Sequence, residues 1–443
     1  MHPDPLPSTG STHRPYSRRN FLRLGLGTAA LSLTSARSLN AAVYEKVALL
    51  NRDFPDQEAP DGAYWEALQK YYMLEEGHIH MNSGTVGPMP EPVFNTLFSS
   101  FEVQCTCPCD VYNTFGARRD EVRRKVARFL GAGPDEIALT RNTTEGMNFV
   151  INGIEMEPGD EILMSDMEHP AGINPASLKA ARYGITTRQV PLGLPPASPE
   201  EIVDAFEAAI GPRTKLISIS HTVYISGLIA PIKELSEMAH RHGVLVLADS
   251  AHGPGMLDLD LHDMGVDFFA ASPYKWLGAP CGTGILYLRR DAQERLWPTI
   301  ANSGWDTGEG ATRFEALGQR ADPLLFALGE AVDFQNRVGK ARIQRRIQAL
   351  ATHLKEGLAQ IPGVHLHTSM DPHLSGGLTA FSVEGVDPQS IMDYLRERYD
   401  LVVRTIGSEA RGTRGVRVST HIFVFHEHVD MVLEGVRHMA ASA

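Results

Sequence analysis

The sequence predicts an α/β fold built on an open, mostly parallel sheet, and three observations carry that prediction. Short apolar runs recur: "EIALT" (136–140), "EILMS" (161–165), "KLISIS" (215–220), "VLVLA" (244–248) and "VDFFAA" (266–271). Their near-continuous hydrophobicity suits strands covered on both faces. Helical patterns separate them, as in "SPEEIVDAFEAAI", where Ser198 caps, Pro199 opens the helix and Glu201 completes a capping box. Strand, helix and strand at this spacing imply parallel neighbours. "ILYL" (285–288) reads as one more strand.

At 443 residues the chain is too long for one compact core, so two lobes are expected. Hydrophobic residues at 43% and charged residues at 21% read as an ordinary globular protein. A formal net charge of -12 disfavours nucleic acid or an anionic membrane as partner.

The amino-terminal stretch differs. Met1 to Ala42 carry five arginines and one aspartate, so the remainder has a net charge of -16. Within it, "SRRNFLRLGLGTAALSLTSA" joins paired arginines to a weakly apolar run. That run is about ten residues against the roughly 20 that span a bilayer, which excludes a membrane anchor. Ser17, Arg18, Arg19, Phe21 and Leu22 resemble a twin-arginine export signal. The resemblance implies passage through the twin-arginine machinery into the periplasm. Cleavage could follow "TSA" at Ala36 or "LNAA" at Ala42.

Chemistry gathers where the strands end. "RNTTEG" follows the first run, "DMEHP" the second, "HTVYISG" the third, "DSAHG" the fourth and "SPYKW" the fifth. Open α/β sheets bind ligands at the carboxyl ends of their strands. "NTTEG" offers hydroxyls and free N–H groups at a helix start, a cradle for an anion. Asp249 ends a buried strand and needs a cation, which a protonated pyridine nitrogen would supply. His169 offers a flat ring for stacking, and Lys275 an amine for a Schiff base. Phosphate, pyridine and aldehyde together point to pyridoxal 5'-phosphate.

From about Met81 onward the chain resembles the class V aminotransferase family, whose relatives include cysteine desulfurases, kynureninases and isopenicillin N epimerase-like proteins. The resemblance rests on "DSAH" (Asp249, Ser250, Ala251, His252), on Lys275–Trp276, and on the order of "NTTEG", "EH", "SH…SG", "DSAH" and "KW". It implies the fold of type I pyridoxal phosphate enzymes: a large lobe and a smaller α+β carboxyl-terminal lobe. It also implies that Thr143, Thr144 and Ser272 hold phosphate, that His169 stacks, and that Asp249 pairs the ring nitrogen. Lys275 would make the internal aldimine, with His252 and Tyr224 beside the cofactor. Arg417 ("GVRVSTH") and Arg404 ("VVRTIG") resemble positions that meet substrate, Arg417 taking the α-carboxylate bidentately. "RFEALGQR" (313–320), with Gln319, resembles a segment reaching the neighbouring subunit's phosphate, so a homodimer is expected.

The expected activity is pyridoxal phosphate chemistry on the amino group of an amino acid or a peptide-derived amine. Transamination, epimerisation and C–S or C–C lysis are its candidate outcomes. The reading from another class is a periplasmic binding protein that keeps the cleft without catalysis.

Departures bear on the reaction. Desulfurases carry a cysteine just beyond the first of these arginines, where this chain reads Gly407, Ser408, Glu409, Ala410. Without a thiol there, persulfide chemistry is disfavoured. Tyr274 stands where a histidine often precedes the lysine, and Gln319 replaces a common threonine. The family's asparagine near the phenolic oxygen has no match in "HTVYISG", where Tyr224 lies closest.

Three other features read as structural. "GAPCGTG" lacks dinucleotide-loop spacing, and His421, His426 and His428 lack metal-ligand spacing. "CTCPC" (105–109) reads as a loop with an incidental or disulfide role. The expected organisation is a signal over 1–42, an arm over 43–82 packing on the second lobe, a large lobe over 83–318 and a small lobe over 319–443.

Overall fold

Seven strands form the larger sheet: β2 (Ile137–Thr140), β3 (Glu161–Ser165), β4 (Thr186–Val190), β5 (Thr214–Ser220), β6 (Leu245–Asp249), β7 (Phe268–Ala271) and β8 (Gly284–Leu288). The computed structural model describes residues 28–442 apart from 56–61, 107, 109–110, 197 and 409–411. The strand order is β2-β8-β7-β6-β5-β3-β4. β8 runs antiparallel to both neighbours, while β3 to β7 are mutually parallel. The α/β, mostly parallel architecture expected from the apolar runs is therefore present, and all five runs are strands.

Every residue of β2, β7 and β8 is buried, as expected of strands with helices on both faces. β4 is the element that no apolar run announces. Four of the five residues of "TTRQV" are exposed at one edge of the sheet, whereas β2 at the other edge is buried throughout. The helix Pro199–Ala209 starts as its capping residues dictate, with Ser198 Oγ accepting from Glu201 N–H at 3.3 Å.

A second, antiparallel sheet is ordered β12-β13-β10-β9, from β9 (Val364–Leu366), β10 (Leu378–Val383), β12 (Arg404–Ile406) and β13 (Gly415–Ser419). A two-residue strand, β1 (Ile79–His80), pairs in parallel with β11 (Leu401–Val402). Met81 continues the tie: its N–H donates to Val402 O at 3.0 Å and its carbonyl accepts from Ser419 N–H at 2.8 Å.

The helix Thr28–Asp53 runs through position 42 and packs on the helices Glu91–Thr106 and Asp322–Val338. Asn40 is buried there, its Nδ2 donating to Pro92 O and Thr96 Oγ1 at 3.1 and 3.0 Å. Ser17, Arg18, Arg19, Phe21 and Leu22 lie outside the described residues, as do Cys107 and Cys109. Cys105 is exposed and forms no disulfide among the described residues. No helix among the described residues is long and apolar enough to cross a membrane.

Candidate active site

The loop after β7 carries Lys275 and is clamped from several sides. Trp276 is fully buried, and its carbonyl accepts from Gln335 Nε2 at 3.2 Å and from His421 Nε2 at 3.0 Å. His421 stacks on the Trp276 ring at 5.5 Å, and its Nδ1 accepts from Ile422 N–H, so this histidine is a packing residue. From the other side Gly87 N–H donates to Tyr274 O at 3.0 Å. A Cβ at Gly87 would lie 1.8 Å from the Lys275 carbonyl oxygen, so only glycine permits this approach.

Lys275 Nζ lies 3.3 Å from His252 Nε2. The Trp276 indole N–H donates to His252 Nδ1 at 3.2 Å. An indole nitrogen only donates, so Nδ1 is the acceptor and the neutral ring carries its proton on Nε2, facing the lysine. Burial, reinforced by Lys275 and Arg417, drives the His252 pKa well below its ordinary value, which keeps the ring neutral. Burial also brings the Lys275 pKa down to about 8, with Asp249 opposing the shift. The lysine therefore reaches its free-amine form at a lower pH than an ordinary lysine does.

Beside it lies a small cavity lined by Thr143, Thr144, His169, Thr222, Tyr224, Asp249, His252, Ser272 and Lys275. Asp249 is buried at the end of β6, and its Oδ1 accepts from Ala251 N–H at 3.1 Å. Burial holds its carboxyl above the usual range, against the pull of Lys275. A buried acid whose nearest cation is a lysine wanted as a neutral amine has room for another cationic partner.

The helix Thr143–Gly153 points its amino terminus into the cavity, its cap Asn142 accepting from Glu145 N–H. Gly146 lets that helix press onto β7, since a Cβ there would meet the Ala270 Cβ at 2.9 Å. The Ser272 hydroxyl lies 2.8 Å from Thr143 Oγ1 and accepts from Thr143 N–H at 3.1 Å. Thr144 is exposed at the same helix end. These hydroxyls and the helix terminus form an anion cradle.

His169 caps the helix Pro170–Tyr183, its Nδ1 accepting from Ala171 N–H, and its ring meets Tyr224 edge-on at 4.9 Å. Burial first, then Lys275, lowers its pKa.

Two groups escaped the sequence reading. Thr222 Oγ1 is buried in this cavity with no hydrogen-bond partner among the described residues. Glu168 is buried behind it, accepting from Ser165 Oγ at 2.5 Å, Ser220 Oγ at 2.6 Å and Ser220 N–H at 3.0 Å. Burial pushes its carboxyl up to about 7. "EH" was visible as a pair; the partner Ser220 requires knowing that β3 lies beside β5.

A larger cleft of ≈ 1200 Å³ shares His169, Tyr224, His252, Tyr274 and Lys275 with the cavity and extends to Arg404 and Arg417. Arg417 Nη1 donates to Tyr224 O at 3.0 Å, and Arg404 Nη1 donates to Thr85 Oγ1 at 3.1 Å. Gln319 is the candidate left apart. It lines a separate cleft of ≈ 770 Å³ with Arg119, Asn302 and Asp322, away from the lysine of its own chain.

This geometry, an amine-bearing loop at the strand ends of a parallel sheet, defines a cofactor-dependent enzyme site. The sequence matches the family model "Aminotransferase class-V" over residues 110–432, and the chain belongs to that family. Its relatives include an isopenicillin N epimerase of Streptomyces clavuligerus, 32% identical over 391 residues, with 84% of this chain and 98% of that protein covered. The isopenicillin N epimerase of Amycolatopsis lactamdurans is 31% identical, covering 85% and 98%. A probable cysteine desulfurase of Methanothermobacter thermautotrophicus is 27% identical, covering 85% and 98%. Among solved structures, a cystine C–S lyase with glycine covalently linked to its pyridoxal phosphate superposes with TM-score 0.74 at 26% identity, covering 82% of this chain and 97% of that one.

The protein is therefore a pyridoxal phosphate enzyme of class V type, and the residues present fit that cofactor. The amine of Lys275 suits the aldehyde, and buried Asp249 the ring nitrogen. The Thr143–Ser272 cradle suits the phosphate, and the orphaned Thr222 hydroxyl gains a polar partner.

Proposed function

We propose that the protein acts on the amino group of an amino acid or a peptide-derived amine, by proton transfer at the substrate Cα, after export from the cytoplasm. Bound pyridoxal phosphate supplies an aldehyde for the amine and a ring that withdraws electrons from Cα. Lys275 would hold the aldehyde, and its Nζ, once displaced by the substrate amine, would take or return the Cα proton. Asp249 would keep the ring nitrogen protonated, and Thr143, Thr144 and Ser272 would hold the phosphate. His169 would pack against the cofactor, Tyr224 would stand beside it, and Arg417 would take the α-carboxylate.

The observation that carries this reading is the Lys275 amine, brought down to about 8 and facing the Nε2–H of His252 in the cavity that also holds Asp249. Relatives named as epimerases and desulfurases support chemistry at an amino-bearing carbon. The absence of cysteine over positions 405–415 favours epimerisation or transamination over persulfide formation.

The test is incubation of the cofactor-loaded protein with amino acids in D₂O. Deuterium at Cα, appearing with the opposite enantiomer or a keto acid and lost in Lys275→Ala, is the expected result. Sulfide release from cysteine with no Cα exchange for any amino acid would overturn it.

Export rests on the "SRRNFL" signal, and the buried hydrogen bonds of Asn40 favour cleavage ahead of it, after Ala36. Replacing Arg18 and Arg19 by lysine should retain the protein in the cytoplasm by cell fractionation. A homodimer is supported by Gln319 lining a cleft separate from its own chain's lysine cavity, and sedimentation should return twice the chain mass.

A further inference from the structure

The cleft beside Lys275 carries more positive charge than one α-carboxylate neutralises. Arg404 on β12 and Arg417 on β13 stand directly opposite each other in the antiparallel ladder. Like charges at such positions weaken a strand pair. Among the described residues no aspartate or glutamate lines the cleft, and no carboxylate forms an ion pair with either arginine. The third arginine of the cleft, Arg414, is held by Asp387 at 2.5 Å.

The hydrogen bonds of the pair are also incomplete. Arg417 is 3% exposed, and its Nε has no partner among the described residues. Its Nη2 reaches only Asn82 Oδ1 at 3.4 Å and Thr85 Oγ1 at 3.3 Å. Arg404 reaches the same Thr85 hydroxyl. A buried guanidinium left short of acceptors costs stability unless a ligand supplies them. The cofactor's phosphate does not serve here, because its cradle lies at the Thr143–Ser272 end of the smaller cavity, which neither arginine lines.

We propose that the arginine pair selects a substrate with two acidic groups, an amino acid carrying a distal carboxylate, free or at the end of a peptide. This rests on the reading above, in which Arg417 takes the α-carboxylate; Arg404 then takes the distal one. The buried arginine orients the reacting end, and the exposed arginine reads the far end.

Amine-free probes test it without chemistry at Lys275. Succinate, glutarate and adipate are compared with propionate, butyrate and valerate by calorimetry on the cofactor-loaded protein. At least one dicarboxylate should bind about tenfold tighter than its monocarboxylate counterpart, the scale of one charge-assisted contact. Arg404→Gln should abolish that preference while keeping monocarboxylate affinity, and Arg404→Lys should restore part of it. Equal binding within each pair, binding of none of the six, or a preference unchanged in Arg404→Gln overturns the proposal; equal binding means that both arginines grip one carboxylate. Borohydride reduction of the same preparations separates this failure from the larger one. A pyridoxyl adduct on Lys275 without acid preference removes only the two-acid inference, whereas a missing adduct removes the proposed function.

Discussion

On the seven-stranded sheet, Lys275, Asp249 and Thr143 sit at strand ends where each polar group is engaged by neighbours of the fold. On the four-stranded sheet, Arg404 and Arg417 face each other across a ladder with their donors only partly used. The first arrangement leaves the Thr222 hydroxyl and the Asp249 carboxyl for a partner of fixed shape. The second is open and suits a partner that differs from one substrate to the next. The difference teaches where each kind of mutation should act: changes on the parallel side remove the chemistry, and changes on the antiparallel side retune what is admitted.

The comparison breaks most severely at Lys275. Lys275→Ala should lose the pyridoxyl adduct on mass spectrometry altogether while leaving carboxylate binding at the arginines intact. Asp249→Asn should cut Cα exchange about 10²-fold or more, the scale for losing a charge aimed at developing charge. Its apoprotein should be no less stable, since a buried carboxyl held above its usual range is replaced by a neutral group.

Trp276→Phe removes the donor that fixes His252. It should cost about 1–3 kcal/mol in denaturant unfolding, the range for orphaning a buried polar partner. It should also shift the pH midpoint of cofactor capture, because His252 Nε2–H would no longer be held towards the amine.

In the wild type that midpoint follows from the lowered amine pKa. The neutral amine is the reactive form and its fraction grows as pH rises through about 8. Capture by the apoprotein should thus climb from pH 7 to 9 and level off beyond, as read by stopped-flow absorbance. A midpoint near the ordinary lysine value would show that the amine is not desolvated.

The smallest effect belongs to the other sheet. Arg404→Gln relieves a cross-strand repulsion and should raise stability by a few tenths of a kcal/mol, visible as a small gain in Tm.

Legibility in the sequence divides along the same line. The parallel sheet was readable because burial on both faces leaves continuous apolar runs, and because its chemistry sits within a few residues of each run's end. β4 was not readable: an exposed edge strand spells "TTRQV", which carries no apolar signal. The side chains of Arg404 and Arg417 were visible as candidates, but their pairing was not, since register across a loop is set by the fold. The hydroxyls of Thr222 and Tyr224, two residues apart, look equivalent in one dimension. Only the three-dimensional lining shows which hydroxyl lacks a partner. Glu168 needed the adjacency of β3 and β5 for the same reason.

The segment from Ile79 to Gly87 touches both halves of the site: Met81 is stitched to Val402 and Ser419, and Gly87 lies against Lys275. It works as a strap of fixed length between the gripping end and the reacting end. Inserting a residue into this strap would change the span between amine and arginines, and with it the size of molecule the enzyme can measure.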